Sequence, residues 1–351
     1  MKLSHWILAG VASLTAHAAE PLTLVGSIPL PGVHGRFDHF ACDAAGQRLI
    51  VAALGNNTGE VFDLSNNKHL HSITNLRKPT GTLILEIPHH FYLANGDDGT
   101  FRAFDSTTFA LASQLTGIDD ADNVRFDAAT KLIYIGCSEG ALAVTDPSTS
   151  KLLHRIPLAG HPESFQLETK GPRIFVNVPD KKQIAVVDRE KGKVIATWPM
   201  ERWQANFPMA LDESSHRLFI GCRIPSRLVV FDTERGMPTA DLEISGDTDD
   251  LFFDAKRQRL FVSCGEGFID VIQKTAPDHY ERTDKIATRS GARTSFFSPD
   301  LDRFYLAVPA AAGTMLSCGC TSRNEARLSG AKSVPVRTVI SHFGCRGRVN
   351  P

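Results

Sequence analysis

Along most of the chain, short apolar runs rich in β-branched and aromatic residues alternate with turn-forming clusters of Gly, Asn, Asp, Ser and Pro. No stretch before residue 310 keeps the 3.6-residue period of an amphipathic helix. Seven of these runs are alike: LIVAA (49–53), FYLAN (91–95), IYIGC (133–137), IFVNV (174–178), LFIGC (218–222), LFVSC (260–264) and FYLAV (304–308). They end at Ala53, Asn95, Cys137, Val178, Cys222, Cys264 and Val308, at intervals of 42, 42, 41, 44, 42 and 44 residues. Each of the first six is followed by another strand-like run ending at Asp63, Asp105, Asp146, Asp188, Asp232 or, in the sixth, Gln273. An aspartate there bonds the backbone two residues on and folds the chain into the next strand. A third column, Asp43, Glu86, Asp127, Glu168, Asp212, Asp254 and Ser298, precedes the first and ends the strand before it.

Each unit therefore holds about four strands in about 42 residues, which is one blade of a β-propeller. A parallel β-helix has a shorter coil, and a helical repeat of this length would show a 3.6 period. The pattern predicts an all-β, seven-bladed β-propeller with four-stranded blades over residues 20–311. A propeller must close, because an open ring leaves strand edges unpaired. LVGSIPLPG (24–32) echoes the fourth strand of a blade, KLLHRIPLAG (151–160), yet precedes the first complete blade. The N-terminus is thus expected to supply the outer strand of the last blade.

The two ends depart from the repeat. Residues 1–19 read as a signal peptide: Lys2 is the positive region, Trp6 to Leu14 a short apolar core, and Ala16-His17-Ala18 a small-x-small cleavage site. The expected location is the periplasm or the exterior, and no stretch is long enough for a membrane helix. After Val308 no strand ending in aspartate follows, so the seventh blade reads as incomplete, with VRTVI (336–340) the one run able to substitute. Residues 312–351 carry six Lys or Arg against one Glu and read as a divergent, or frame-altered, basic tail.

Charge changes the picture by exclusion. With 38 basic and 39 acidic residues the net charge is −1, so no global field recruits nucleic acid or an anionic membrane. Aromatic and basic residues are not interleaved as single-strand binders require, and no nucleic-acid partner is expected. The cysteines number seven, so one thiol at least has no partner within the chain, and no CxxC zinc spacing occurs. Cys137, Cys222 and Cys264 share one repeat position that calls for a small buried side chain; they read as packed, inert thiols.

FYLANGDDGTFRAFD (91–105) resembles the YVTN repeat unit of YncE-like propellers, exported proteins of bacteria and archaea, and the likeness runs over about residues 22 to 310. The resemblance implies an exported propeller. It implies no agreed catalytic residues, and the architecture is shared by lactonases, a streptogramin lyase and pure binding proteins.

Candidate chemistry follows from the alignment of the repeats. The innermost strand of each blade lines the central channel, and the loops leading into those strands gather at one end. They bring there Asp38 and His39, Thr80 and Thr82, Asp122 and Asn123, His161, Glu163 and Ser164, Asn206, Asp249 and Asp250, and Arg293 and Thr294. Converging carboxylates, two histidines and an arginine suit a small polar ligand or a hard divalent cation, for which Asp122, Glu163 and Asp249 are the candidate ligands. The alternative for each acid is a turn or a blade-to-blade network with Arg293, Arg125 or water. His39 and His161 are candidate metal ligands or general bases, or else ordinary hydrogen-bonding residues. Trp198, Trp203 and Phe207 are candidates for a binding platform. His89 and His90 fall in a turn at the opposite end and read as bystanders. Two functions fit: a monomeric binding or scaffold protein holding a small polar ligand, a cation or a protein partner at the mouth, or a metal-assisted, lactonase-like hydrolase or lyase in which His39 or His161 exchanges the proton.

Overall fold

The computed structural model describes residues 22–138 and 140–309, together with the backbone of the strand Leu316–Ser322. The expected signal peptide at residues 1–19, VRTVI and the rest of the basic tail lie outside the described residues. Seven antiparallel four-stranded sheets form the predicted ring of blades. Six are simple meanders in chain order. Their innermost strands are Phe40–Asp43, Pro79–Leu85, Val124–Asp127, Phe165–Leu167, Gln204–Asp212 and Thr248–Asp254. The only helical elements among the described residues are three 3-10 turns of three residues each.

The aspartate column works as the spacing predicts. The Asp63, Asp105, Asp146 and Asp232 carboxylates each accept a backbone N–H from the residue two positions on, at 2.9, 3.0, 2.8 and 2.8 Å. Gln273 replaces this with an amide that donates to the Arg257 and Gln258 carbonyls, both at 3.0 Å. The third column caps the inner hairpins; Asp43 and Asp127 accept from the Gly46 and Ala129 amides at 2.8 and 2.9 Å.

The seventh blade is sewn from both ends of the chain. Ser295–Ser298, Arg303–Val308 and Leu316–Ser322 are its three inner strands, and Thr23–Leu30 is the outermost, paired antiparallel with Leu316–Ser322. The N-terminal closing strand inferred from the echo is therefore present. The expected gap after Val308 is not: LSCGCTS fills it, so the last sheet runs past residue 311. Aspartate marks the turn that follows a third strand, whereas pairing itself needs only extended backbone with two neighbours short of a partner. Without that turn residue the strand leaves no signature.

Each hydrophobic cluster lies between two neighbouring blades. Ile28 and Leu30 of the closing strand pack with Tyr305 against Phe40, Leu49 and Phe62 of the first blade, and similar clusters recur around the ring. Cys137, Cys222 and Cys264 are fully buried in these interfaces, where burial raises all three thiol pKa values, that of Cys222 to about 12. Trp198 and Trp203 are core residues too, Trp198 stacking on Phe231 with ring centroids 5.8 Å apart. They do not form a platform.

Candidate functional site

Pairing of the innermost strand with its hairpin partner sets one equivalent position in every blade at the channel mouth: Asp38, Thr80, Asp122, Glu163, Phe207, Asp249 and Arg293. All of them line one cavity of about 270 Å³, joined by Arg36, His39, Lys78, Asp120, Asn123, His161, Ser164 and Arg223. The backbone at this ring is locked. The Asp38 amide donates to the Ala52 carbonyl at 2.8 Å, that of Asp122 to Gly136 at 2.9 Å and that of Glu163 to Asn177 at 3.0 Å. Thr80 donates its hydroxyl to the Ala121 carbonyl at 2.6 Å, and a Cβ on Gly81 would sit 2.1 Å from the Asp122 carbonyl oxygen. Only glycine lets the second blade approach that closely, so Asp122 is placed by two blades rather than by one.

The ring divides into a neutralised side and an open one. On the neutralised side Arg293 donates to both oxygens of Asp247 at 2.6 Å and approaches Asp249 at 3.0 Å. Arg223 also pairs with Asp249 while lying 4.0 Å over the Phe207 ring. Lys78 pairs with Asp120 at 3.0 Å and Arg36 with Asp38 at 2.9 Å. On the open side Asp122 stands between two imidazoles, its oxygens 3.8 Å from His39 Nε2 and 4.0 Å from His161 Nε2. His161 Nδ1 lies 2.7 Å from the Ser138 carbonyl, which fixes Nδ1–H as donor and turns Nε2 toward the cavity. His39 Nε2 is also 3.4 Å from Asp38. The Glu163 carboxylate receives no hydrogen bond and has no base within ion-pair distance among the described residues, although the blade buries most of it.

The protonation of these groups is set by burial and by their neighbours. Burial, reinforced by Asp122, pushes the Glu163 carboxyl up to about 8, and burial likewise raises Asp38 to about 6 and Asp250 to about 7. The Asp122 carboxylate holds the His161 imidazolium to about 9. Burial alone would lower His39, but Asp38, Asp122 and Asp250 outweigh it and raise its pKa. Burial would raise Asp122, yet the two histidines and Arg36 bring it below the usual carboxylate range. Like charges therefore meet here without cancelling, and the fold accommodates them by retaining protons.

Two groups of three side chains bring one donor atom each within 4.8 Å of one another, Asp38–His39–Asp122 and Asp122–His161–Glu163. Both contain an imidazole nitrogen and carboxylate oxygens, and Asp122 belongs to both. Of the expected ligands, Asp122 and Glu163 stand together, while Asp249 is held by two arginines away from either group. Ser164 and the buried Asn123 lie against the same cavity. Asp250 faces deeper into the channel and accepts the Ser295 amide at 2.6 Å. Asn206 is fully buried and spans blades, donating to Asn177 Oδ1 at 2.8 Å, because a register shift between Asn206 and Met209 gives the mouth position to Phe207. Arg36, Lys78, Asp120, Arg223 and Asp247 escaped the repeat alignment, since they sit on loops and hairpin ends outside its columns.

No family model and no curated protein matches the chain. Among solved structures it is similar to Kuenenia stuttgartiensis hydrazine synthase, with a TM-score of 0.72 at 13% identity over 85% of this chain and 99% of that one. It is also similar to a chain of the mitotic checkpoint complex, with a TM-score of 0.73 at 11% identity over 91% and 98%. At such identities the likeness is one of propeller architecture. Among the described residues no helix is long and apolar enough to cross a membrane.

Proposed function

We propose that this chain is an exported, monomeric binding propeller of the YncE-like kind, which holds a small polar ligand at the channel mouth through a divalent cation on Asp122, His161 and Glu163. The observation that carries the reading is Glu163: a largely buried carboxyl, open to the cavity, with no hydrogen-bond donor, beside an aspartate and an imidazole that share its donor geometry. Burying a carboxyl without a partner is costly, and a cation supplies the missing one. A mixed set of carboxylate oxygens and an imidazole nitrogen suits zinc or manganese rather than calcium alone. Backbone hydrogen bonds preorganise the ligands, as a site of fixed geometry needs.

A hydrolase or lyase at the same mouth is the second reading, favoured by His39. It stands beside Asp122 with Asp38 on its other flank, positioned to exchange a proton with a molecule bound at the cation. A protein partner seated on the rim is the remaining occupant. Elemental analysis of protein purified without chelator, beside Glu163→Ala and His161→Ala, tests the reading. Stoichiometric metal that is lost in both variants supports it. A metal-free protein that also fails to bind added zinc or manganese overturns the cation site and leaves the protein partner.

A further inference from the structure

One layer below the mouth the channel changes character. Arg125, on the innermost strand of the third blade, has equivalents in the other six blades at Ala41, Leu83, Gln166, Ala210, Phe252 and Phe296, and all seven line a second cavity of about 500 Å³. Arg125 is the only charged residue of that layer. Its Nη1 donates to its neighbour Val124's carbonyl at 2.9 Å, its Nη2 reaches the Ser164 hydroxyl only at 3.5 Å, and its guanidinium lies 5.6 Å from the Phe165 ring centroid. No carboxylate oxygen lies within ion-pair distance among the described residues. Other shielded arginines are paired: Arg189 with Asp127 at 3.2 Å, Arg257 with Asp254 at 3.0 Å, and Arg173 with Glu168 at 2.6 Å.

We propose that Arg125 is the anchor of a second site, which binds the carboxylate of a small organic acid whose apolar body lies along the channel against Leu83, Phe252 and Phe296. A guanidinium offers its N–H groups as a planar fork matched to a carboxylate, and a buried cation without a counter-charge is costly until an anion arrives. One unpaired cation calls for a monoanion rather than a phosphate dianion. Two carboxyls act on Arg125 through space, Asp250 and Asp122, but neither is within ion-pair distance: Asp250 accepts the Ser295 amide and Asp122 stands between the imidazoles of His39 and His161, so neither closes the site. Phe126, Leu211 and Phe253 continue the apolar wall toward the far opening, and the volume is that of an ordinary small-molecule site.

The site is separate from the cation ligands, and its test separates the two readings. Calorimetric titration of the full chain with octanoate, octanamide and acetate should show octanoate binding at least roughly tenfold tighter than octanamide, which lacks the charge, and than acetate, which lacks the body. Arg125→Met should abolish the preference for octanoate over octanamide, and Arg125→Lys should restore part of it. Phe252→Ala should weaken octanoate and leave acetate unchanged. Metal-free protein should keep the preference for octanoate over octanamide, because Arg125 belongs to neither group of candidate cation ligands, so loss of the cation site leaves this test standing. Removing an unpaired, partly buried charge should keep Arg125→Met folded, with a denaturant midpoint at or above that of the parent. Equal affinity for octanoate and octanamide in the parent, or an undiminished preference in Arg125→Met, overturns the proposal. So does competition by chloride as effective as by octanoate, since the site would then be one for any anion.

Discussion

Glu163→Gln should make the protein more stable, and by an amount that grows with pH. The carboxyl titrates near 4.5 in an unfolded chain and near 8 in the folded one, because burial and the Asp122 charge disfavour its ionised form. Between these values the folded state holds a proton that the unfolded state has released, so stability falls as pH rises through the window and levels off above 8. Integrating the difference gives a cost of about 1 kcal/mol at pH 5, about 3 at pH 7 and about 5 at pH 9. Glutamine keeps the shape and removes the titration. Its amide adds an offset that does not depend on pH, so the diagnostic quantity is the change in stability difference, about 4 kcal/mol between pH 5 and pH 9. Reversible urea unfolding of parent and variant in metal-free buffer at pH 5, 7 and 9 reads it directly, provided the m-values agree. A stability difference flat across this range would refute the burial of an unpartnered carboxyl at position 163.

Three further outcomes follow from the same geometry. A divalent cation must displace the protons on His161, held to about 9, and on Glu163, held to about 8; zinc affinity should therefore rise roughly 50-fold from pH 7 to 8, and only about tenfold in Glu163→Gln, as titration against a competing chelator would show. Arg293→Met strips Asp247 and Asp249 of a shared partner and should cost about 1–2 kcal/mol in denaturant unfolding, less than a deeply buried pair because the site is partly solvated. Cys222→Ser places a hydroxyl in a sealed apolar interface and should cost about 1–3 kcal/mol, while the parent thiol should resist aqueous thiol reagents until the protein unfolds.

The fold was legible because the repeat writes the same short-range chemistry into every blade. Apolar runs set the second strands, and aspartates such as Asp63 and Asp105 bond the turns that follow. The mouth was legible to the extent that it belongs to the repeat: Asp38, Asp122, Glu163, Asp249 and Arg293 occupy one structural position. What lay outside the columns was not. Arg223 and Asp247 meet only because two blades are neighbours in space, so the neutralisation of Asp249 has no local signature. A bulge of one strand exchanged Asn206 for Phe207, since a register shift alters which side chain faces the channel while leaving the apolar pattern intact. The strand Leu316–Ser322 was missed for the opposite reason, pairing geometry without turn chemistry.

The joining of Thr23–Leu30 to Leu316–Ser322 makes the ring's completion a matter of chain length. The closing strand waits for a partner that follows all six meander blades, so no nascent chain still lacking Leu316–Ser322 can finish the circle, whatever those blades have already done. Closing so long a loop costs only slowly more entropy than closing a short one, but the contact forms late, after most local pairing. Until then the first blade's flank, including Phe40 and Leu49, lacks the cover that Tyr305 and Ala307 of the last blade provide. The seam is therefore where association between unfinished rings would begin, and where a cut made within the closing strand would open the whole ring rather than loosen one blade.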